Sequence, residues 1–126
     1  MLTGEDRAAV DIIENASTAV LTLAEGLEQA ELSASRLTKY EVLRQLLSVS
    51  DAHAALSVEA RQAMEELDFG GWVITGQRIR AGGESALNAC WLAIRAMAPT
   101  TLGWIRFYRS KKSELFSPAD EGQEHP

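Results

Sequence analysis

The chain has 126 residues, 46% hydrophobic and 24% charged, with a net charge of −6 and a pI of about 4.9. That length suits one domain whose core needs no staples, and the acidic balance excludes adhesion to nucleic acid or anionic membrane over the whole surface, so any RNA contact has to come from a small site. The lone cysteine, Cys90, excludes an intramolecular disulfide; with no signal-like N-terminus and no long apolar run, the expectation is a soluble, cytoplasmic protein.

Helical periodicity runs along the sequence, with no strand signal of any length. Thr3 with Asp6 predicts a capping box that opens a helix over about residues 4 to 25, stopped by Gly26. Its apolar stripe is Val10, Ile13, Ser17, Val20 and Ala24, widened by Ile12, Ala16, Ala19 and Leu23. A loop over 26 to 37 leads to a second capping box, Thr38 with Glu41. The helix beyond it carries Tyr40, Leu43, Leu47 and Ala54 as its expected core stripe, with Val42, Leu46 and Val49 beside it. Ser57 caps a short third helix, SVEARQAMEEL. Asp68 caps a fourth over about 69 to 81, in which Gly70, Gly71 and Gly76 each cost roughly 1 kcal/mol against alanine. Packing of Phe69, Trp72, Val73 and Ile79 has to compensate. After Gly82 and Gly83, a last long helix over about 85 to 112 presents Leu87, Trp91, Ile94, Ala98, Leu102 and Ile105 as one face. Pro99 inside that pattern predicts a kink or short break near Ala98. The expected fold is all-α: an up-and-down antiparallel bundle of about five helices. It forms a single domain over residues 1 to 112, followed by a flexible polar tail over 113 to 126.

The chemistry-bearing residues are few. His53 reads as a hydrogen-bonded structural residue, and His125 lies in the tail; two distant histidines and one cysteine give no metal-ligand spacing, and no cofactor motif is present. Cys90, beside Trp91, has no histidine near in sequence to activate its thiol and reads as a small core hydrophobe. Trp72, Trp91 and Trp104 read as core or interface anchors. Arg106, Arg109, Lys111 and Lys112 fall where cations suit a helix C-terminus, with a phosphate contact as the alternative. Arg44, Ser48 and Asp51 step by four and three along one face of the second long helix, an ordinary solvated stripe in isolation. Arg78 and Arg80 sit at a helix end directly before the glycine pair.

The run RLTKYEVLRQLLSVSDAHAALSVEARQAMEELDFGGWVITGQRIRAGGESALNACWLAIRAMAP resembles the HepT-like branch of the HEPN family, small helical-bundle proteins often encoded beside a minimal nucleotidyltransferase. The resemblance spans roughly residues 6 to 106 and rests on order: the Asp51-Ala52 pair, Leu-Ser, a tryptophan before an arginine-rich helix end, a second tryptophan, then a proline. It implies a homodimer, with the fourth helix near the two-fold axis and Phe69, Trp72 and Arg78 at or near the interface. It also implies metal-independent cleavage of RNA in the dimer cleft by an arginine and a histidine, and a tyrosine that the nucleotidyltransferase modifies with AMP. Laid onto QRIRAGGES, the arginine is Arg78, the histidine position is Gly83 and the tyrosine position is Ser85. Asp51 matches the family's acidic position, and Arg44, Ser48 and Arg80 are the implied cleft lining. Loss of a general base typically costs about a hundred- to ten-thousandfold in rate. The resemblance therefore implies a non-catalytic binding or regulatory member of a toxin–antitoxin-type module, partnered by a nucleotidyltransferase, RNA or a nucleotide. The alternative is an active ribonuclease toxin, which would need His53 to reach the cleft. His53 follows Asp51 by two positions, a rotation of about 200° on a helix, so the two side chains point apart.

Overall fold

The computed structural model describes residues 1 to 118, and among them every regular element is helical. In order these are α1 (Gly4–Ala24), α2 (Gln29–Ala34), α3 (Arg36–Ala55), α4 (Val58–Ala63), α5 (Phe69–Ala81) and α6 (Gly83–Leu92). A π-helical turn (Ala93–Met97), α7 (Ala98–Lys111) and a 3₁₀ turn (Ser113–Phe116) follow. Helix α3 lies between α1 and α5, while α7 returns along α1 and α6 stays with α5. Contacts of α3 with α5 run from His53 on Trp72, through Ser50 on Gly76, to Leu47 beside Ile79, so the two helices are antiparallel. Arg109 reaches Asp11 and Glu14 while Leu2 meets Leu115, which makes α1 and α7 antiparallel as well. The up-and-down bundle expected from periodicity is the fold observed.

Helix α1 starts where its cap predicts. The Thr3 hydroxyl oxygen accepts the Asp6 N–H at 3.0 Å. The Asp6 carboxylate also reaches the α3–α4 junction, accepting the Ser57 N–H at 3.0 Å and the Ser57 hydroxyl at 2.7 Å. Ser57 Oγ in turn caps α4 by accepting the Ala60 N–H at 3.1 Å. Burial alone would raise the Asp6 pKa, but the donors from Ser57 and Thr3 outweigh it and hold the carboxyl below its ordinary value. At 3% exposure this is a buried charge that is stable because each oxygen has a donor.

Three expectations are corrected and one is met. Thr38 lies inside α3, which begins at Arg36 behind an N-cap Ser35 with no side-chain hydrogen bond; the second capping box is instead Glu28 with Glu31, opening α2 inside the stretch expected as loop. The core face of α3 is Val42, Leu46, Val49, Ser50, Ala52 and His53, whereas Tyr40 is 68% exposed and Ala54 faces solvent. Helix α3 is apolar on more than one side, and its neighbours α1 and α5 decide which side is covered. The break expected near Ala98 is present as a π-helical turn over Ala93–Met97, directly before Ala98 and Pro99. The π-helical turn, with the Ala98 N–H donating to the Ala93 carbonyl, sets Pro99 into the first turn of α7, where a missing N–H is tolerated. The fold also extends past residue 112: Leu115 is buried, its carbonyl accepts the Leu2 N–H at 3.1 Å, and the Arg109 guanidinium lies 4.7 Å from the Phe116 ring centre. The remainder of the expected tail, residues 119 to 126 with His125, lies outside the described residues.

Replacing Asp6 by alanine strips the Ser57 N–H and hydroxyl of their acceptor. Hydrogen bonds to a charged group contribute about 1.5 to 3 kcal/mol, so Asp6→Ala should lower the unfolding free energy by roughly 2 kcal/mol in urea titrations. Ser57→Ala, which also removes the α4 cap, should match or exceed that loss.

Candidate functional site

The arginine-rich end of α5 is positioned by residues upstream of it. Asp68 caps the helix, its Oδ1 accepting the Gly71 N–H at 2.9 Å. The indole of Trp72, fully buried, donates through Nε1 to Thr101 Oγ1 at 3.0 Å. Gly76 sits directly against the Ser50 hydroxyl, where a Cβ would overlap Ser50, so glycine is what lets α5 approach α3 this closely. The helix ends at Gly82 with φ +79°, and Gly83 has the same φ of +79°. Both angles lie in the left-handed region that favours glycine.

At this terminus Arg80 donates through Nη2 to Asp51 Oδ2 at 2.8 Å and to Oδ1 at 3.1 Å, across the α3–α5 seam. The pair is more than half exposed on both sides, so its contribution to stability is small. Arg78, two positions back and on another side of α5, is exposed and has no ion pair or side-chain hydrogen bond among the described residues. Arg44 is engaged within its own helix, with Nε 3.0 Å and Nη2 2.6 Å from the two oxygens of Glu41. The Ser48 hydroxyl donates back to the Arg44 carbonyl at 3.3 Å. The structure thus brings Asp51 together with Arg80 and leaves Arg78, Gly83 and Ser85 exposed, with no ion pair or side-chain hydrogen bond from Arg78 among the described residues.

His53 lies elsewhere. It is fully buried, with Nδ1 donating to the Val49 carbonyl at 2.8 Å, a role assigned because a carbonyl can only accept. Its ring stacks on Trp72 at 5.5 Å and meets Phe69 edge-on at 5.7 Å, and Nε2 has no hydrogen-bond partner among the described residues. Burial, only partly opposed by the Val49 carbonyl, pushes its pKa down to about 4. Neutral and enclosed at pH 7, this imidazole reaches no surface substrate.

Trp72, expected at or near a dimer interface, is enclosed by its own chain with its N–H satisfied. Phe69 is partly buried beneath the Arg61 guanidinium at 5.7 Å. Cys90 is 1% exposed and its thiol is pushed up to about 11 by burial, so it is no nucleophile at neutral pH. In the basic cluster of α7, Arg109 is consumed by Asp11 and Glu14, each at 2.8 Å, as a tie between α7 and α1.

Two features escaped the sequence reading. Leu37, 85% exposed, and Tyr40 form an open apolar face with Leu43, Leu47 and Ile79; the pattern was visible in sequence but looks identical to a core stripe. The Tyr108 hydroxyl donates to Glu66 Oε1 and accepts the Glu66 N–H at 3.2 Å, joining residues 42 apart with no local signal.

Among the described residues, no group of three metal-ligating side chains comes together and no helix is long and apolar enough to cross a membrane. The chain matches no family model, no curated protein and no solved structure.

The buried imidazole sets a pH dependence. Between pH 6.5, the ordinary histidine value, and about 4, the unfolded chain binds a proton that the folded chain does not. Stability present above pH 6.5 is therefore lost as the pH falls through that window, by roughly 3 kcal/mol in total. Asp6 and Glu66, whose pKa values are lowered, give up their contributions only below their unfolded values of 3.8 and 4.5. Melting temperatures measured between pH 7 and 4.5 should fall steadily, and His53→Leu should flatten that slope. A second expectation concerns Gly83→His, which forces a side chain into the left-handed region and should cost about 1 to 2 kcal/mol in the same assay.

Proposed function

We propose that this chain is a HepT-like protein of the HEPN family that acts by binding, as a non-catalytic regulatory member of a toxin–antitoxin-type module, and that it works as a homodimer. The observation that carries this reading is Arg78: a solvent-facing guanidinium with no carboxylate partner, at a helix end whose neighbours, Gly83 and Ser85, carry no group titrating near neutral pH. Such a guanidinium binds phosphate, of RNA or of a nucleotide. Cleavage needs proton transfer as well, and the one described imidazole is enclosed against Trp72. The positive φ at Gly83 adds to this, since the backbone there favours glycine over the histidine an active member would carry. A minimal nucleotidyltransferase is the partner protein the resemblance implies, and Ser85 offers it no tyrosine to modify.

The open face of α3 supports the dimer. Leu37, Tyr40, Leu43 and Leu47 run along one helix with Ile79 as floor, flanked by Arg36 near one end and by Asp51, with its Arg80 partner, near the other. An antiparallel, two-fold pairing of α3 with its copy that sets Tyr40 against the partner's Leu47 also sets Arg36 against the partner's Asp51. Apolar contact and charge complementarity thus coincide in one register, as an isologous interface requires.

Labelled RNA incubated with the purified protein and chelator should stay intact over hours, while RNA or AMP binding should weaken about tenfold in Arg78→Ala, the loss typical of one charge-assisted contact. Metal-independent cleavage abolished by Arg78→Ala would instead establish a working ribonuclease. For the dimer, Arg36→Glu and Asp51→Arg should each weaken self-association in sedimentation equilibrium, and the two together should restore it. A monomer at micromolar concentration, or an additive loss in the double variant, rules out this interface.

A further inference from the structure

On the opposite flank of α5, the α4–α5 turn and the π-helical region enclose a cavity of about 210 Å³. Met97, Trp104 and Trp72 line it, together with Glu66, Asp68 and Thr100. None of the lining residues is a cation. Three of the groups that shape the cavity are already tied in place. Trp72 is fixed by Thr101, Glu66 by the hydroxyl and ring position of Tyr108, and Asp68 by its cap on Gly71. Trp104 is half-buried and stacks on Tyr108 at 6.1 Å, which holds its indole as a cavity wall.

These ties each consume one carboxylate oxygen and leave the other. Glu66 Oε2 and Asp68 Oδ2 have no hydrogen-bond partner among the described residues. Lys112, whose charge reaches Glu66, lies over the Tyr108 ring at 5.9 Å and is not part of the lining. An indole face attracts cations through its quadrupole, and two carboxylates beside it add to that preference. A net charge of −6 steers cations toward the molecule in general.

We propose that this cavity binds an organic cation: an ammonium or guanidinium group carried on an apolar stem. The stem lies against Trp104 and Met97, and the charge meets the free oxygens of Glu66 and Asp68. The apolar wall excludes a bare metal ion as the natural occupant, and the carboxylates exclude an anion. The same chemistry is presented by a small free amine and by a lysine or arginine side chain of another protein. This site is independent of Arg78, which lies near the far end of α5.

The test titrates the full chain at low salt with phenethylamine, with its neutral isostere phenethyl alcohol, and with N-acetyl-arginine methylamide, following tryptophan fluorescence and heat. At least one cationic probe should bind about tenfold more tightly than the alcohol, the gain expected of a cation–π contact joined to an ion pair. Saturation by the amine points to a free ligand, and saturation by the blocked arginine alone points to a side chain. Glu66→Gln with Asp68→Asn keeps the Tyr108 acceptor and the α5 cap, since asparagine caps as well as aspartate, and should bring both cations down to the level of the alcohol. Thr100→Lys, at an exposed position on the cavity wall, supplies a charge from within and should abolish amine binding in a folded protein. The proposal is overturned if neither cation saturates below about 10 mM, a level weaker than any specific site. Equal binding of alcohol and amine, or full binding retained in Thr100→Lys, overturns it too.

Discussion

The indole of Trp72 joins three helices at one point. It belongs to α5, donates its only proton to Thr101 of α7, and lies flat on His53 of α3. A buried indole N–H without an acceptor costs on the order of 1 to 3 kcal/mol, so the fit between α5 and α7 is set by one hydrogen bond at 3.0 Å. The stack on His53 has a second effect: it helps exclude water from an imidazole whose protonation the core then opposes. A glycine-rich helix has little reason to form alone, and in this chain the large apolar side chain near its first turn supplies the reason. Everything presented by the far end of α5, Arg78 included, inherits its position from that anchor.

The two arginines at that end illustrate how a one-turn arrangement separates structure from recognition. Arg80 closes on Asp51 and becomes part of the α3–α5 seam. Arg78 is turned away from that carboxylate and remains available. The neighbouring Arg44 is satisfied within its own helix by Glu41, so it does not compete for Asp51. Of the arginines near this seam, one is left with its full donor fork facing water, and a planar fork is suited to bidentate capture of phosphate oxygens.

Much of the architecture was legible because caps and periodicities act locally. Thr3, Ser57 and Asp68 each accept the N–H three residues on, as their residue types predict. Burial of Val10, Ile13, Ser17, Val20 and Ala24 follows from one unambiguous stripe. Helix α3 was harder, because Tyr40, Leu43 and Leu47 and Val42, Leu46 and Val49 are competing apolar stripes on one cylinder, and only α1 and α5 together choose between them. The capping box of α2 was missed because its cap is glutamate, an uncommon residue for that position. At the candidate site, the absence of any histidine or tyrosine from QRIRAGGES is plain in the sequence, but the positive φ of both glycines is not. The partners of Asp6, Glu66 and Arg109 were likewise hidden, since each lies at least 42 residues away in the chain.

The π-helical turn has a meaning beyond its accommodation of Pro99. Helix α6 accompanies α5, and α7 accompanies α1, so one nearly continuous rod serves two different partners. A strictly regular helix presents a single seam and commits all its turns to one neighbour. The wider turn at Ala93–Met97 changes the rotational phase between the two halves, as a universal joint does between two shafts. Wound at uniform α-helical pitch with the same number of residues, the downstream half would turn by about 100° relative to the upstream half, setting every side chain of α7 against the wrong neighbour. The extra residue is therefore a topological device: it lets a single stretch of backbone change layers without a loop.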